Sequence, residues 1–153
     1  MDKKEQYKKW LLETFNIEVT KNNEKYFYGV ISVHFCNNNY CSKVLAFKGD
    51  PLISFMICDR SMDEIKLTND RKLTNFTRQK EYFITDDFLA NTFNHYELQR
   101  FTDHNDANPV GQDVKSACIE ALIYATYKSF DIKKAWEVWN IILKDMEIKI
   151  ILR

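Results

Sequence analysis

The sequence predicts an all-α helical bundle. Turn formers are scarce, with three glycines and two prolines in 153 residues. A many-stranded sandwich or barrel needs far more of both. Apolar residues recur at i, i+3, i+4 and i+7 through the last third, the period of a helix face. The segments between apolar stretches are short and polar. At this length a single domain, spanning 1–153, is large enough to enclose its own core.

The elements follow in order. Lys4 to Phe15 carries Tyr7, Trp10, Leu11 and Phe15 along one helical stripe. Residues 24–35 fit two structures. Their aromatic and β-branched content favours a strand, whereas Asn22 or Asn23 would cap a helix. Asn37-Asn38-Asn39 reads as a loop. Asp50-Pro51 reads as a helix start, with Asp as N-cap and Pro in the first position. Residues 63–80 are polar and basic. Residues 81–101 hold one or two helices around Phe83, Phe88, Leu89, Phe93 and Leu98, and Thr102 to Gln112 is a loop. Val114, Ala117, Cys118, Ala121, Leu122 and Ala125 mark the next helix. Asp131 caps a last one, with Ile132, Ala135, Trp136, Trp139, Ile142, Leu143 and Met146 as its core positions.

Charge and cysteine usage narrow the function classes. Twenty-two basic and 22 acidic side chains balance, so nucleic-acid binding would need a local patch. Arg71, Lys72, Arg78 and Lys80 could contact phosphates along a duplex. Asp63, Glu64, Asp70 and Glu81 nearly cancel them, and a solvated helix face is the simpler reading. The first residues show neither a secretory signal nor a transit peptide, and no apolar run would span a membrane. Four cysteines fit an intracellular, reducing compartment, with cytoplasm and mitochondrion both open. Cys58 and Cys118 lie in apolar runs and read as core. His34, Cys36 and Cys41 approach a metal spacing, but the paired Cys-x-x-Cys of a structural zinc site is missing.

Two acids stand out. Asp50 opens the apolar run to Cys58, and Glu120 is the one charge between Lys115 and Lys128. A carboxylate on a helix that is apolar nearly all round must be paired, hydrogen-bonded or metal-bound. Two such acids, in segments able to pack together, point to a shared site. Separate satisfaction of each by backbone or a basic partner is the plainer alternative.

The residues around these acids resemble the ribonuclease III family. Leu45-Ala46-Phe47-Lys48-Gly49-Asp50 is similar to its signature helix, Leu-Glu-Phe-Leu-Gly-Asp. Ala117-Cys118-Ile119-Glu120-Ala121-Leu122-Ile123, closing in Ala125-Thr126-Tyr127, resembles its second box, Asp-x-Phe-Glu-Ala-Leu-Ile. Phe15 to Val19, Ser32-Val33-His34 and Leu73-Thr74-Asn75 match weaker boxes in the same order. The resemblance covers roughly residues 7–145 and implies a ribonuclease III-type helical bundle. It also implies metal-dependent cleavage of structured or double-stranded RNA, with magnesium or manganese held by hard carboxylate oxygens.

The family gathers four acids, two from each box. Here Asp50 and Glu120 are kept, as catalytic and metal-binding candidates, and the other two positions are Ala46 and Ala117. Two readings therefore stand open. One is a Mini-III-like endoribonuclease, a lone catalytic domain with a similarly reduced first box. The other is an inactive scaffold or RNA-binding subunit, as in mitochondrial ribosomes and RNA-editing complexes. Lys48, Pro51 and a loop at 102–112 without arginine or lysine depart toward the second. In either case Leu52, Ile53, Phe55, Met56 and Ile57 offer more apolar surface than one helix needs for its own core. That implies a homo- or heterodimer through the 50–58 helix.

Overall fold

The computed structural model describes residues 1–34, 39–64, 78, 81, 85–104 and 109–146; of residues 60–64 it describes the backbone. Helix α1 spans Lys3–Phe15. The Asp2 side chain caps it, accepting from the Glu5 N–H at 2.8 Å. Asn16 ends it in the left-handed region, with φ 53°. Tyr7, Leu11 and Phe15 are buried, and Trp10 packs among the rings of Tyr7, Phe15, Tyr96 and Phe101.

The ambiguous segment is helical from Glu24 to Val30, helix α2. Phe27 and Val30, three apart, bury the same face, which an alternating strand could not do. Asn23 works differently from a side-chain cap. Its Oδ1 accepts from the Thr20 N–H at 2.7 Å and its Nδ2 donates to the Glu18 carbonyl at 3.1 Å, so it holds the preceding turn. The Tyr7 hydroxyl donates to the Phe27 carbonyl at 2.9 Å and ties α1 to α2.

Helix α3 runs from Ser42 to Glu64, so the expected start at Asp50-Pro51 is wrong. Pro51 lies inside the helix, where it lacks the N–H that would meet the Phe47 carbonyl. Burial of Leu45, Ala46 and Gly49 before it, and of Ile53, Met56 and Ile57 after it, outweighs that one lost bond. Helix α4, Asp86–His95, is capped by the Thr85 hydroxyl, which accepts from the Phe88 N–H at 3.3 Å. A 3-10 turn, Leu98–Phe101, follows.

Helix α5, Gln112–Ser129, is the axis of the bundle. It packs against α2, α3, α4 and helix α6, Ile132–Asp145. Cys118, Ile119, Ala121, Leu122, Ile123 and Ala125 are all buried, so α5 is enclosed on nearly every side. The Asp131 side chain caps α6 as expected, accepting from the Lys134 N–H at 2.8 Å. Ala135, Trp139, Ile142 and Leu143 are core positions of α6, joined by Val138, while Ile132, Trp136 and Met146 pack at its margin. Among the described residues no strand occurs, and no helix is long and apolar enough to cross a membrane.

Candidate active site at the crossing of α3 and α5

Gly49 decides how closely the two central helices approach. A Cβ built there would stand 2.1 Å from the Glu120 carbonyl oxygen and 2.6 Å from its carbonyl carbon. The helices thus touch backbone to backbone, which only glycine allows. Asp50 follows at once. Its carboxyl lies close enough to that of Glu120 to raise the titration of the latter by charge and hydrogen bonding. The crossing thus brings together the two acids that stood out in the sequence. Asp50 is exposed at its mouth, contrary to its setting in an apolar run, and Glu120 is half-buried.

The Glu120 carboxyl titrates unusually. Burial first, then the charge and hydrogen bond of Asp50, then the charge of Asp86, push it up to about 8. A hydrogen bond from Ser116 opposes the rise. The Ser116 Oγ is 3.4 Å from Glu120 Oε1 and 2.9 Å from Asp86 Oδ1, so one buried hydroxyl bridges two carboxyls. Beside it, Gln112 Nε2 donates to Asp87 Oδ1. At neutral pH Glu120 holds a proton that it can donate to Asp50.

Asp86 was not anticipated. In sequence, Thr85-Asp86-Asp87 carries the marks of a helix start, an N-cap with acids in the first turn. Only the docking of α4 against α5 turns Asp86 toward Glu120. It reaches that acid through Ser116 rather than by sharing a coordination sphere. Among the described residues no three His, Cys, Asp or Glu side chains close on a common metal position.

Ala46 lies one turn before Asp50 and Ala117 one turn before Glu120, on the same faces as the acids. Lys48 does not pair with either acid. Its Nζ lies over the Tyr124 ring, 5.6 Å from the centroid. Neither Asp50 nor Glu120 forms an ion pair among the described residues. Elsewhere along α3 and α5, Lys48, Pro51, Leu52, Phe55, Tyr124, Tyr127 and Ile132 line an open groove of about 500 Å³. Phe47 is 83% exposed and Phe55 57%, a large apolar area to leave in water.

The remaining sequence candidates fall elsewhere. Arg78 is helical and exposed, whereas Arg71, Lys72 and Lys80 lie outside the described residues. So does Cys36 of the zinc-like set. Cys41 is engaged in a disulfide, so it is not a thiolate ligand, and the expectation of four reduced cysteines does not hold. Cys118 is a buried free thiol, pushed up to about 12 chiefly by burial, and Cys58 is half-buried and free.

No family model matches the sequence, and no curated protein is similar to it. Among solved structures, the nuclease domain of ribonuclease III from Campylobacter jejuni superposes with a TM-score of 0.72. The match covers 90% of this chain and 97% of that domain at 14% identity. That structure is described for flexibility in a region involved in dimer formation. The fold is therefore that of a ribonuclease III-like all-α domain.

Proposed function

We propose that the protein is a metal-dependent endoribonuclease of reduced, Mini-III-like type that cuts structured or double-stranded RNA at Asp50 and Glu120. One observation carries the reading: the backbone contact of α3 and α5 at Gly49 brings two carboxyls together with no cationic side chain paired to either among the described residues. Like charges so close are unfavourable, and a divalent cation would relieve them as the proton does. The donor set fits magnesium or manganese, which accept one or two carboxylates and keep several waters. When bound, such an ion supplies phosphate polarisation and a water of lowered pKa. In the protein, Gly49 sets the spacing of the two acids. Asp50 presents its carboxyl oxygens at the mouth. Ser116 orients Glu120, which must give up its proton before it can act as a ligand.

The test is cleavage of duplex RNA with magnesium or manganese. Asp50→Asn or Glu120→Gln should abolish cutting, because each removes half of the charged ligands. Ala46→Glu with Ala117→Asp sharpens it, since both positions share a face with the acids. At a metal site, the added acids should tighten manganese binding and leave cutting at least as fast. At a packing site, the double variant should melt lower, with no rescue by metal. Ala46 is 7% exposed, so the new glutamate must reach outward from a tight position. A wild type inert on duplex RNA, with a double variant that metal does not rescue, would retire the enzyme in favour of the scaffold.

The same reading includes a dimer through the 50–58 stretch of α3, on a narrower face than expected: Ile53, Met56 and Ile57 are buried in the chain's own core, which leaves Phe55 and part of Leu52. Phe55 is exposed at the edge of the groove that Leu52, Tyr124 and Tyr127 line, and Phe47 is exposed two turns earlier on the same helix. Sedimentation is expected to show a dimer at micromolar concentration, and Phe55→Lys should shift it to monomer with the helix content unchanged by circular dichroism and a melting temperature that no longer depends on protein concentration. A wild-type monomer at that concentration, with no partner chain added, would refute the homodimer.

A further inference from the structure

A second cavity, of about 510 Å³, shares no residue with the acidic site. It opens between the first turn of α1, one face of α2 and the 3-10 turn. Three ammonium groups ring it, from Lys3, Lys4 and Lys25, and its walls include Tyr28, Tyr40 and Phe101. This local charge stands in a chain whose net charge is zero.

The lysines are held by rings and backbone rather than by carboxylates. Lys4 Nζ lies 4.7 Å from the centroid of Tyr28. Lys25 Nζ lies 5.3 Å from that of Tyr26 and 5.4 Å from that of Tyr40. Lys3 Nζ donates to the Thr102 carbonyl at 3.2 Å. The nearby acids are spent on other partners. Glu5 pairs with Lys8 at 3.5 Å, and Asp2 caps α1. Asp103, at the cavity rim, accepts from the Val33 and His34 N–H groups at 2.7 and 2.8 Å. Among the described residues neither Lys4 nor Lys25 has a carboxylate partner. A cation held over a ring is positioned yet keeps its N–H donors for an anion.

We propose that this cavity binds a phosphorylated nucleoside, its phosphate among Lys3, Lys4 and Lys25 and its base against the walls that Tyr28 and Tyr40 supply. The volume falls in the range of small-ligand sites. Three lysines lining one cavity suit a multiply charged phosphate better than a single carboxylate. Aromatic walls accept a planar base with little sequence preference. The ligand can be a free nucleotide or the 5′-phosphorylated end of an RNA strand, since both present the same chemistry. The assignment does not rest on the reading of Asp50 and Glu120.

Calorimetric titration of the full chain tests it with three probes: adenosine 5′-monophosphate, a short single-stranded RNA with a 5′-phosphate, and the same strand with a 5′-hydroxyl. Saturable binding of a phosphorylated probe is expected. Lys4→Ala with Lys25→Ala should weaken it by about tenfold or more, the effect of losing charge-assisted contacts. Both lysines are exposed, so the melting temperature should hold; if it falls, Lys25→Gln alone repeats the measurement. Binding of the mononucleotide identifies a free-nucleotide site, and binding of the phosphorylated strand alone identifies a strand-end site. No saturation with either phosphorylated probe would overturn the proposal. So would equal binding of the 5′-hydroxyl strand, or affinities that the lysine variants leave unchanged.

Discussion

Gly49→Ala is expected to lower the melting temperature by roughly 10 °C. In an ordinary helix interior the change would help, since alanine is favoured over glycine by about 1 kcal/mol. Here the new methyl would sit 2.1 Å from the Glu120 carbonyl oxygen. The obstacle is backbone in the axial helix, which cannot rotate away as a side chain can. Separating α3 from α5 enough to admit a methyl disturbs the largest packed surface of the fold, a loss on the order of 3–5 kcal/mol. Gly111→Ala is the control. Among the described residues its added carbon would meet the Asp113 side chain, at 3.3 Å, and the loss of the N-cap glycine should lower the melt by far less than the change at Gly49. If Gly49→Ala melts with the wild type, the close crossing of the helices is wrong, and the acidic site with it.

Stability is expected to fall as pH rises from about 5 to about 8 in metal-free buffer. The sign follows from the direction of the Glu120 shift. Its carboxyl titrates at about 8 in the folded chain, against an ordinary value of 4.5. Between those values the folded state holds the proton and the unfolded state does not, so each step up in pH favours unfolding. Below the lower value the group costs nothing, and above the higher one the loss is complete. With partial solvent exposure discounted, the loss is on the order of 3 kcal/mol, or roughly 5–10 °C of melting temperature. Glu120→Gln cannot lose a proton, so the difference between its melts and those of the wild type isolates this carboxyl. Magnesium or manganese should oppose the fall, and increasingly so toward pH 8, if the acids bind a cation. A wild type and glutamine variant whose melts change in parallel from pH 5 to 8 would refute the raised titration.

Much of the fold was legible because helical periodicity survives wherever one face is buried. The stripes of α1, α5 and α6 were readable for that reason, and Asp131 announced its helix by local chemistry alone. The start of α3 was misread for the opposite reason. Asp50-Pro51 is a strong local signal for a helix N-terminus, but Leu45, Ala46 and Gly49 gain more from packing on α5 than one missing hydrogen bond costs. Residues 24–30 could not be settled locally, since seven residues of mixed propensity take the structure that their neighbours bury. At the site, Asp50 and Glu120 were visible as charges out of place. Asp86 and Ser116 were invisible, because nothing in Thr85-Asp86 or Ser116-Ala117 records that α4 docks beside α5. The exposure of Asp50 was equally unreadable, for an apolar neighbour in sequence need not be a neighbour in space.

The position of α5 has a consequence for how the chain is made. The helix that α2, α3, α4 and α6 all pack against is made late, only in the last third of the chain. While a ribosome is still adding residues 112–129, the earlier helices have no axis on which to close. Phe27, Leu45, Ile53 and Met56 are then as exposed on the growing chain as Phe47 and Phe55 remain on the finished one. Assembly is therefore a late and largely collective event, joining segments some seventy residues apart, as Asp50 and Glu120 are. Until then, the nascent first half presents the kind of apolar surface that chaperones and proteases survey.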